Sequence, residues 1–528
     1  MRTADPVLPQ PLHRLGVPVF RGPAPASDDL AAVAERPQIV DNRTLQGFDM
    51  LVAITQKTLN DQMALLFAQG ILPTSWEAAW DPSKPDLPPK ISVQWGAPSV
   101  NLVTAVSANR IVEARFPMAS GTLTYLEPDP NDPFRNIPRE VDCAGWTLVF
   151  QVNMGLADIA ATAPVVPPEV RKQLEEFSTE MFRIEHLFLN FEDANLITNS
   201  WRIEAPNGVP ANAAFQTQFT VLLRRLIGLY QGSDNPYILG YSVTQTEGLA
   251  RLALGYTLPE GARVSADDPA DSPTFAPTGV SYSVFPERDR PDMSSLNFLL
   301  MTNHLPVPGG GAGLFEHNWA TDPNVQGEMV FSQFLILGNV VTPLAAAIGA
   351  SPSALTRELR IAARNKDGGE TSCQVSFGDG TRDLYLDFRY TFDIDVEDHF
   401  GTGIGYVDGF VAWRTVLTYA LDGDDRLTVS TRNEGYQQKY ERHPNWIGKL
   451  ESYLAIFADV ATGAFLSGKG IFTELVSDDW NTKLDLRIDS AVADIRSRII
   501  LPAGNVYFFK DPRFNAAGDL RLALTYRN

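Results

Sequence analysis

Cysteine is nearly missing from this chain: Cys143 and Cys373 are the two thiols in 528 residues. That scarcity excludes a disulfide-dense secreted scaffold and fits a reducing compartment. Thiols so far apart in sequence are expected as small buried hydrophobes. Positive charge is thin too, with 43 Lys and Arg against 63 Asp and Glu for a net charge of -20. No Lys/Arg-rich run occurs, so a general nucleic-acid binder is set aside. The same balance opposes loose electrostatic attachment to anionic lipid. A continuous apolar stretch is missing from the N-terminus, where prolines interrupt "MRTADPVLPQPLHRLGVPVF". No Sec-type export signal is visible there. The expectation is a protein that is cytoplasmic as synthesised, with a non-Sec export route left open.

The usual signatures of catalysis and metal binding are absent as well. The six histidines, His13, His186, His304, His317, His399 and His443, include no pair at the i, i+4 spacing of a helical zinc site. "GAFLSGKG" (463–470) misses a phosphate loop because Gly470 stands where Ser or Thr must hold magnesium. "GTGIG" (401–405) lacks dinucleotide-fold spacing and reads as a turn. "DIDVEDHFG" has the acids of a calcium loop but neither its sixth-place glycine nor its final glutamate. No GxSxG elbow or Cys/His nucleophile signature occurs. These absences favour a binding role, with no metal and no cofactor expected. A carboxylate pair for glycoside cleavage has no local spacing rule, so a carbohydrate-active enzyme stays open as a weaker alternative.

What is present is hydrophobicity, at 44% of residues, in a chain long enough for roughly two to four domain-sized units. Residues 1–41 are proline-rich and aperiodic, an extended arm. "TLQGFDMLVAITQKTLNDQMALLFAQG" then places Phe48, Leu51, Val52, Thr55, Leu59, Met63 and Leu66 on one helical stripe, which predicts a helix of about seven turns. Strand-like writing follows in "ISVQWG", "SVNLVTAVS", "IVEARFPMASGTLTYLE" and "GWTLVFQVNMG". "PPEVRKQLEEFSTEMF" and "AAFQTQFTVLLRRLIGLYQG" read as helical, "GVSYSVF" and "SLNFLLMTN" as strands.

After the glycine-rich break "PVPGGGAG" the order recurs. From Met329 to Thr356 the chain carries no charged side chain, and a long apolar helix is expected from about residue 329. Gly338, Asn339, Thr342 and Pro343 dilute it, and its flanks lack basic clusters, so a helix buried on most sides is preferred to a membrane span. "DLYLDFRYTFDIDV" alternates strictly and belongs to a long sheet, with "GFVAWRTVLTYALD" pairing to it across a turn at 401–409. "NWIGKLESYLAIFADVATGAF" carries another apolar helical stripe, and "DLRLALTYR" alternates at the end. The fold class is α+β, long antiparallel strands with long apolar helices, apparently in two related modules at 42–305 and 306–528.

"TLQGFDMLVAITQKTLNDQM", "SSLNFLLMTNHLPVP" and "GEMVFSQFLILGNVVTPL" resemble segments of the OrfX-type accessory proteins found beside clostridial neurotoxin genes, members of the tubular lipid-binding (TULIP) superfamily. The resemblance runs through most of the chain from about residue 42, and the first 40 residues depart from it. It implies highly curved antiparallel sheets wrapped around long apolar helices, two such units forming an elongated body, and non-enzymatic binding of lipid or another hydrophobic ligand. Residues expected to line an apolar groove are Phe48, Leu51, Val52, Leu59, Met63, Leu66, Phe334, Leu337 and Val341. The expected partners are a lipid or hydrophobic small molecule and a protein encoded nearby, in the setting of a bacterial toxin or secretion locus. An interaction scaffold with a filled core is the competing expectation, since aromatic residues at 10% of the chain can close such a tube.

Overall fold

The structure, a computed structural model, describes residues 45, 47–102, 111–175, 182–191, 201–231, 235–245, 259–263, 294–302, 319, 320, 322, 324–365, 368–397, 401, 403–422, 427–444, 499–504 and 507–526. The arm at 1–41, the strand expected at 279–285, the near-phosphate loop at 463–470 and the helix expected at 445–465 lie outside them. Four α-helices occur among the described residues: α1 (Gln56–Ala68), α2 (Pro168–Leu174), α3 (Ala213–Leu229) and α4 (Gln333–Ile348). The remainder is dominated by three antiparallel sheets.

The central sheet has six strands, ordered Pro259–Arg263, Ser295–Thr302, Met50–Thr55, Gly327–Phe331, Leu520–Tyr526 and Tyr507–Phe514. Its arrangement is symmetric in chain order about the middle pair. Each middle strand runs directly into a helix, Met50–Thr55 into α1 and Gly327–Phe331 into α4, and the two strands added outside it come from later in the same half of the chain. Because Met50–Thr55 and Gly327–Phe331 pair antiparallel, with Val52 opposite Met329, the helices leave from opposite ends. The pairing is closed at both limits, where Thr55 N donates to Gln326 O at 3.0 Å and Ser332 N donates to Asp49 O at 2.8 Å.

These two strand-to-helix junctions correct the sequence reading. Met50–Thr55 is a strand, so the first helix begins at Gln56; Met329–Phe331 is also a strand, so α4 begins at Gln333. Both runs are buried at every position, which erases the alternation that marks a half-exposed strand. The switch falls at a hydroxyl residue in each case. Thr55 accepts from Thr58 N, and Ser332 accepts from Leu335 N at 3.3 Å, so an N-cap ends the strand and starts the helix. The next amides are satisfied as well: Gln56 N donates to Ser294 O, and Gln333 N donates to the buried carboxylate of Asp519.

A ten-stranded sheet is organised around Ile111–Asp129, a 19-residue strand flanked by Lys90–Trp95 and Thr147–Asp158. Its buried face receives α1 at Ser99–Asn101 and α3 at Ile111–Asp129 and Ser75–Ala79. The five-stranded sheet is a meander of Arg360–Arg364, Glu370–Phe377, Asp383–Glu397, Gly403–Leu421 and Leu427–Pro444, with α4 against its first strand. Asp383–Glu397 buries Leu384, Leu386, Phe388, Tyr390 and Phe392 while intervening residues reach solvent, the alternation its sequence predicts. Its partner begins at Gly403, so Gly403–Gly409 is strand and the expected turn over 401–409 is shorter. The reason is register: Asp393 pairs with Asp408 and Val396 with Gly405, which carries the ladder through the glycines. Both cysteines are buried and unpaired with each other, and burial pushes the Cys143 thiol up to about 12.

The middle pair also fixes one glycine. A Cβ at Gly327 would stand 2.2 Å from the Ala53 carbonyl oxygen, whereas one at Gly338, on the solvent side of α4, would meet nothing within 4 Å. Gly327→Ala is therefore expected to cost about 2–3 kcal/mol by forcing the strands apart. Gly338→Ala is expected to add up to about 1 kcal/mol by restricting the unfolded chain. Chemical denaturation of both variants beside the parent checks the pair.

Candidate hydrophobic-ligand site

Eight of the nine residues expected to line a groove are buried in the continuous apolar core. Leu59, Met63 and Leu66 lie on the inner face of α1; Leu51 and Val52 lie on the central strand, with Phe48 just before it. Leu337 and Val341 lie on the inner face of α4, where Phe334 is half-buried. Those eight fall into two groups within that core. Helices α1 and α4 depart in opposite directions and pack on different sheets, so the α1 group faces the ten-stranded sheet and the α4 group faces the five-stranded one.

Polar side chains pin α1 in place. Asn60 accepts from Val100 N at 2.7 Å and donates to Val100 O at 3.0 Å, while Gln56 accepts from Leu102 N at 2.7 Å. Gln62 accepts from Ala503 N at 3.1 Å, tying the helix to a segment more than 400 residues later. These contacts satisfy backbone groups beside the short strand Ser99–Asn101 that would otherwise be costly to bury. Helix α4 differs. Its inner face is apolar, but Gly338, Thr342 and Ala346 recur every fourth residue on an exposed, uncharged outer stripe. The charge-free segment is thus covered on one side and open on the other.

The richest interior lies between the ten-stranded sheet and α3. Stacked rings begin at Trp76 and Trp95, whose planes differ by 3° with centroids 5.8 Å apart. Phe219 of α3 meets Trp76 edge-on, and Phe116 lies 5.9 Å from Trp95. From Phe116 the contacts continue to Phe150, Phe191 and Tyr237. In the other direction Phe219 stacks on Phe215, which meets Tyr125 and Trp146. Burial is the main cause holding the Tyr237 phenol well above its ordinary range, and it raises Tyr230 beside it.

Within this aromatic interior two polar atoms have no protein partner. The indole Nε1–H groups of Trp76 and Trp95 make no hydrogen bond, although the residues are only 2% and 5% exposed. A buried donor left unpaired costs roughly 1–3 kcal/mol. Each buried donor, in otherwise apolar surroundings, can serve an oxygen acceptor such as an ester or amide carbonyl. Periodicity could not have located this pair, because Trp76 and Trp95 meet diagonally across strands in which Trp76 lies opposite Val93. The clue available in the sequence was the concentration of nine tryptophans in the chain.

On the sheet itself, Arg202 donates to both carboxylate oxygens of Glu113, at 2.8 and 3.1 Å, and also pairs with Glu204, which Arg115 holds below the usual carboxylate range. The network joins Ile111–Asp129 to Trp201–Glu204 across the strand between them and is structural. Among the described residues no cluster of His, Cys, Asp or Glu could hold a metal ion, and no helix is long and apolar enough to cross a membrane.

No protein-family model matches the chain, and no curated protein matches its sequence. A solved structure does share its fold. P47 of Clostridium botulinum E1 superposes with a TM-score of 0.50 at 10% identity, covering 91% of this chain and 99% of its own. P47 from Clostridium botulinum A2 gives 0.49 at 12% identity, covering 90% and 97%. The likeness to P47 of Clostridium botulinum E1 concerns the fold alone, and the A2 match, with a TM-score under 0.5, carries no argument. A lipopolysaccharide binding protein covers 91% of this chain and 99% of its own at 10% identity, but its TM-score of 0.28 carries no argument.

One titratable group near this sheet has a measurable consequence. His186 is buried, stacked on Phe188, with its ring Nδ1 2.9 Å from Ala157 O, and desolvation holds its pKa below the ordinary value. As pH falls through about 6.5 the unfolded chain takes up this proton before the folded chain does, so stability present above that pH is lost until the lower folded pKa is reached. Denaturation midpoints between pH 7.5 and 5.5 should fall with acid in the parent, and His186→Gln should flatten part of that slope.

Proposed function

We propose that this chain binds a lipid or another hydrophobic ligand, without catalysing a reaction, in the interior enclosed by the ten-stranded sheet, α1 and α3. Two related modules at 42–305 and 306–528 join through the central sheet, and the first carries the site. The observation that carries this reading is the pair of buried indole donors of Trp76 and Trp95, unpartnered inside an aromatic chamber. A ligand that placed its acyl portion among the rings and an oxygen acceptor on each indole would remove both penalties. Each buried methylene would add about 0.8 kcal/mol before ordering costs. Likeness in fold to P47 of Clostridium botulinum E1 supports a role as an accessory component of a bacterial toxin or secretion locus.

A second reading, a protein-interaction scaffold with a filled core, draws on a different observation. The expected groove residues on α1 and the adjoining strand are 0–3% exposed, and the rings touch at 4.9–6.4 Å along the whole chamber. The two readings part in native mass spectrometry and solvent extraction of the purified protein. Ligand binding predicts a hydrophobic molecule at near-stoichiometric occupancy, reduced about tenfold in affinity by Trp76→Phe with Trp95→Phe, a change that keeps the rings and deletes the donors. Protein that stays empty after delipidation and incubation with mixed lipids, while a protein partner co-purifies, favours the scaffold.

A further inference from the structure

Seven large hydrophobic residues are exposed among the described residues: Leu65, Trp80, Leu87, Phe134, Leu229, Tyr406 and Tyr436. Three of them, Trp80, Leu87 and Phe134, gather at one end of the ten-stranded sheet. Strands Lys90–Trp95, Ile111–Asp129 and Asp132–Asp142 are neighbours, with Lys90 opposite Thr124 and Thr124 opposite Glu140. The loop 80–89 that precedes Lys90 and the hairpin that follows Thr124 therefore project from the same end. The hairpin presents Phe134 at 98% exposure; the loop presents Trp80 at 45% and Leu87 at 55%. Helix α3 starts near the hairpin, where Asn212 donates to Tyr125 Oη and to Glu127, and farther along it Arg225 donates to Trp80 O at 2.7 Å.

These tips are held in shape. Asn131 N donates to Asp129 Oδ1 at 2.9 Å and Phe134 N to Asp132 Oδ1 at 3.0 Å, two side-chain turns that brace the hairpin. In the loop, Trp80 N donates to Pro89 O at 2.8 Å, Ser83 N and Oγ donate to Asp81 Oδ1, and Leu87 N donates to Lys84 O at 3.0 Å. Gln218 of α3 takes the place of a strand neighbour beyond the Pro88–Pro89 pair. It accepts from Leu126 N at 2.8 Å and donates to Leu126 O at 2.7 Å. Braced loops hold their apolar side chains in water with little freedom to fold them away.

We propose that this end of the molecule docks on a lipid surface, with Phe134, Leu87 and Trp80 entering the interfacial layer. Separate loop tips, divided by charged residues and prolines, make a poor flat patch for a protein but can enter independently between headgroups. Trp80 has the amphipathic ring that favours the boundary between acyl chains and water. Charge selects the surface. Residues 80–90 and 127–139 carry five carboxylates against four cations, and Arg225 beside Trp80 adds a fifth, so this end is near neutral in a chain of net charge -20 and a zwitterionic bilayer is the fitting partner. Docking is independent of what fills the interior, and either reading of the core accommodates it.

Flotation of the full-length protein with phosphatidylcholine vesicles tests the proposal. The parent is expected to float with them at low and high salt alike. Phe134→Ser should lower the partition coefficient about tenfold, and adding Leu87→Ser should abolish flotation. Because both side chains are exposed, thermal unfolding of the variants should match the parent. Failure of the parent to float, equal flotation of parent and variants, binding confined to phosphatidylserine vesicles and lost in salt, or capture of a protein through this end without flotation would each overturn it. Ligand occupancy measured on the same samples keeps this result separate from that of the interior site.

Discussion

The fold depends on one short antiparallel pairing. Met50–Thr55 and Gly327–Phe331 lie side by side at the middle of the central sheet, and each runs into a helix at its end. Antiparallel geometry then dictates the rest, since α1 and α4 must leave in opposite directions and seek separate sheets to bury their apolar faces. Even the polar groups of the junction follow that logic. Glu328 is buried on this pair and is matched by Arg521 of the neighbouring strand at 2.6 Å, a charge that could not be tolerated there alone. Asp519 from the same C-terminal hairpin accepts from the first amide of α4. The last strands of the chain thus complete the surroundings of a strand nearly 200 residues earlier.

Function sits within a tension between packing and vacancy. Aromatic rings stabilise the ten-stranded module by filling it, and a fully filled module has no room for a ligand. Trp76 and Trp95 break that consistency. Their rings pack as core residues do, yet their N–H groups are left without acceptors. Elsewhere side chains such as Asn60, Gln56, Gln62 and Gln218 meet backbone groups that the strands leave open. Arg171 Nε, Arg225 Nε and Tyr241 Oη are buried without partners as well, so what sets the indole pair apart is its place in the aromatic interior.

How far the sequence revealed this depended on one-sided burial. Asp383–Glu397 was legible because solvent on one face imposes strict alternation, and α3 was legible because Phe215, Phe219, Leu222 and Leu226 recur at helical spacing. "MLVAIT" and "GEMVFS" were not, because strands covered on both faces lose alternation, and a following apolar helix extends the same run. The hydroxyl caps Thr55 and Ser332 were the local signals that separated strand from helix. Groove residues inferred from helical stripes, Phe334 apart, were found buried in one continuous core but on two helices facing different sheets, a division set by the long-range pairing. The Trp76–Trp95 stack and the apolar end carried by Phe134 and Leu87 both arise from strand register, which no local pattern encodes.

The pairing itself can be tested covalently. Thr55 with Gln326 and Asp49 with Ser332 are hydrogen-bonded pairs, so by alternation Val52 and Met329 face each other at a non-hydrogen-bonded position, where Cα atoms stand about 4.5 Å apart and a disulfide fits. The native thiols are buried and raised in pKa, so they do not compete. In the Val52→Cys, Met329→Cys protein, peptide mapping after air oxidation should recover a single disulfide joining the two strands, with thermal stability retained. Recovery of free thiols at both positions in folded protein would contradict the account.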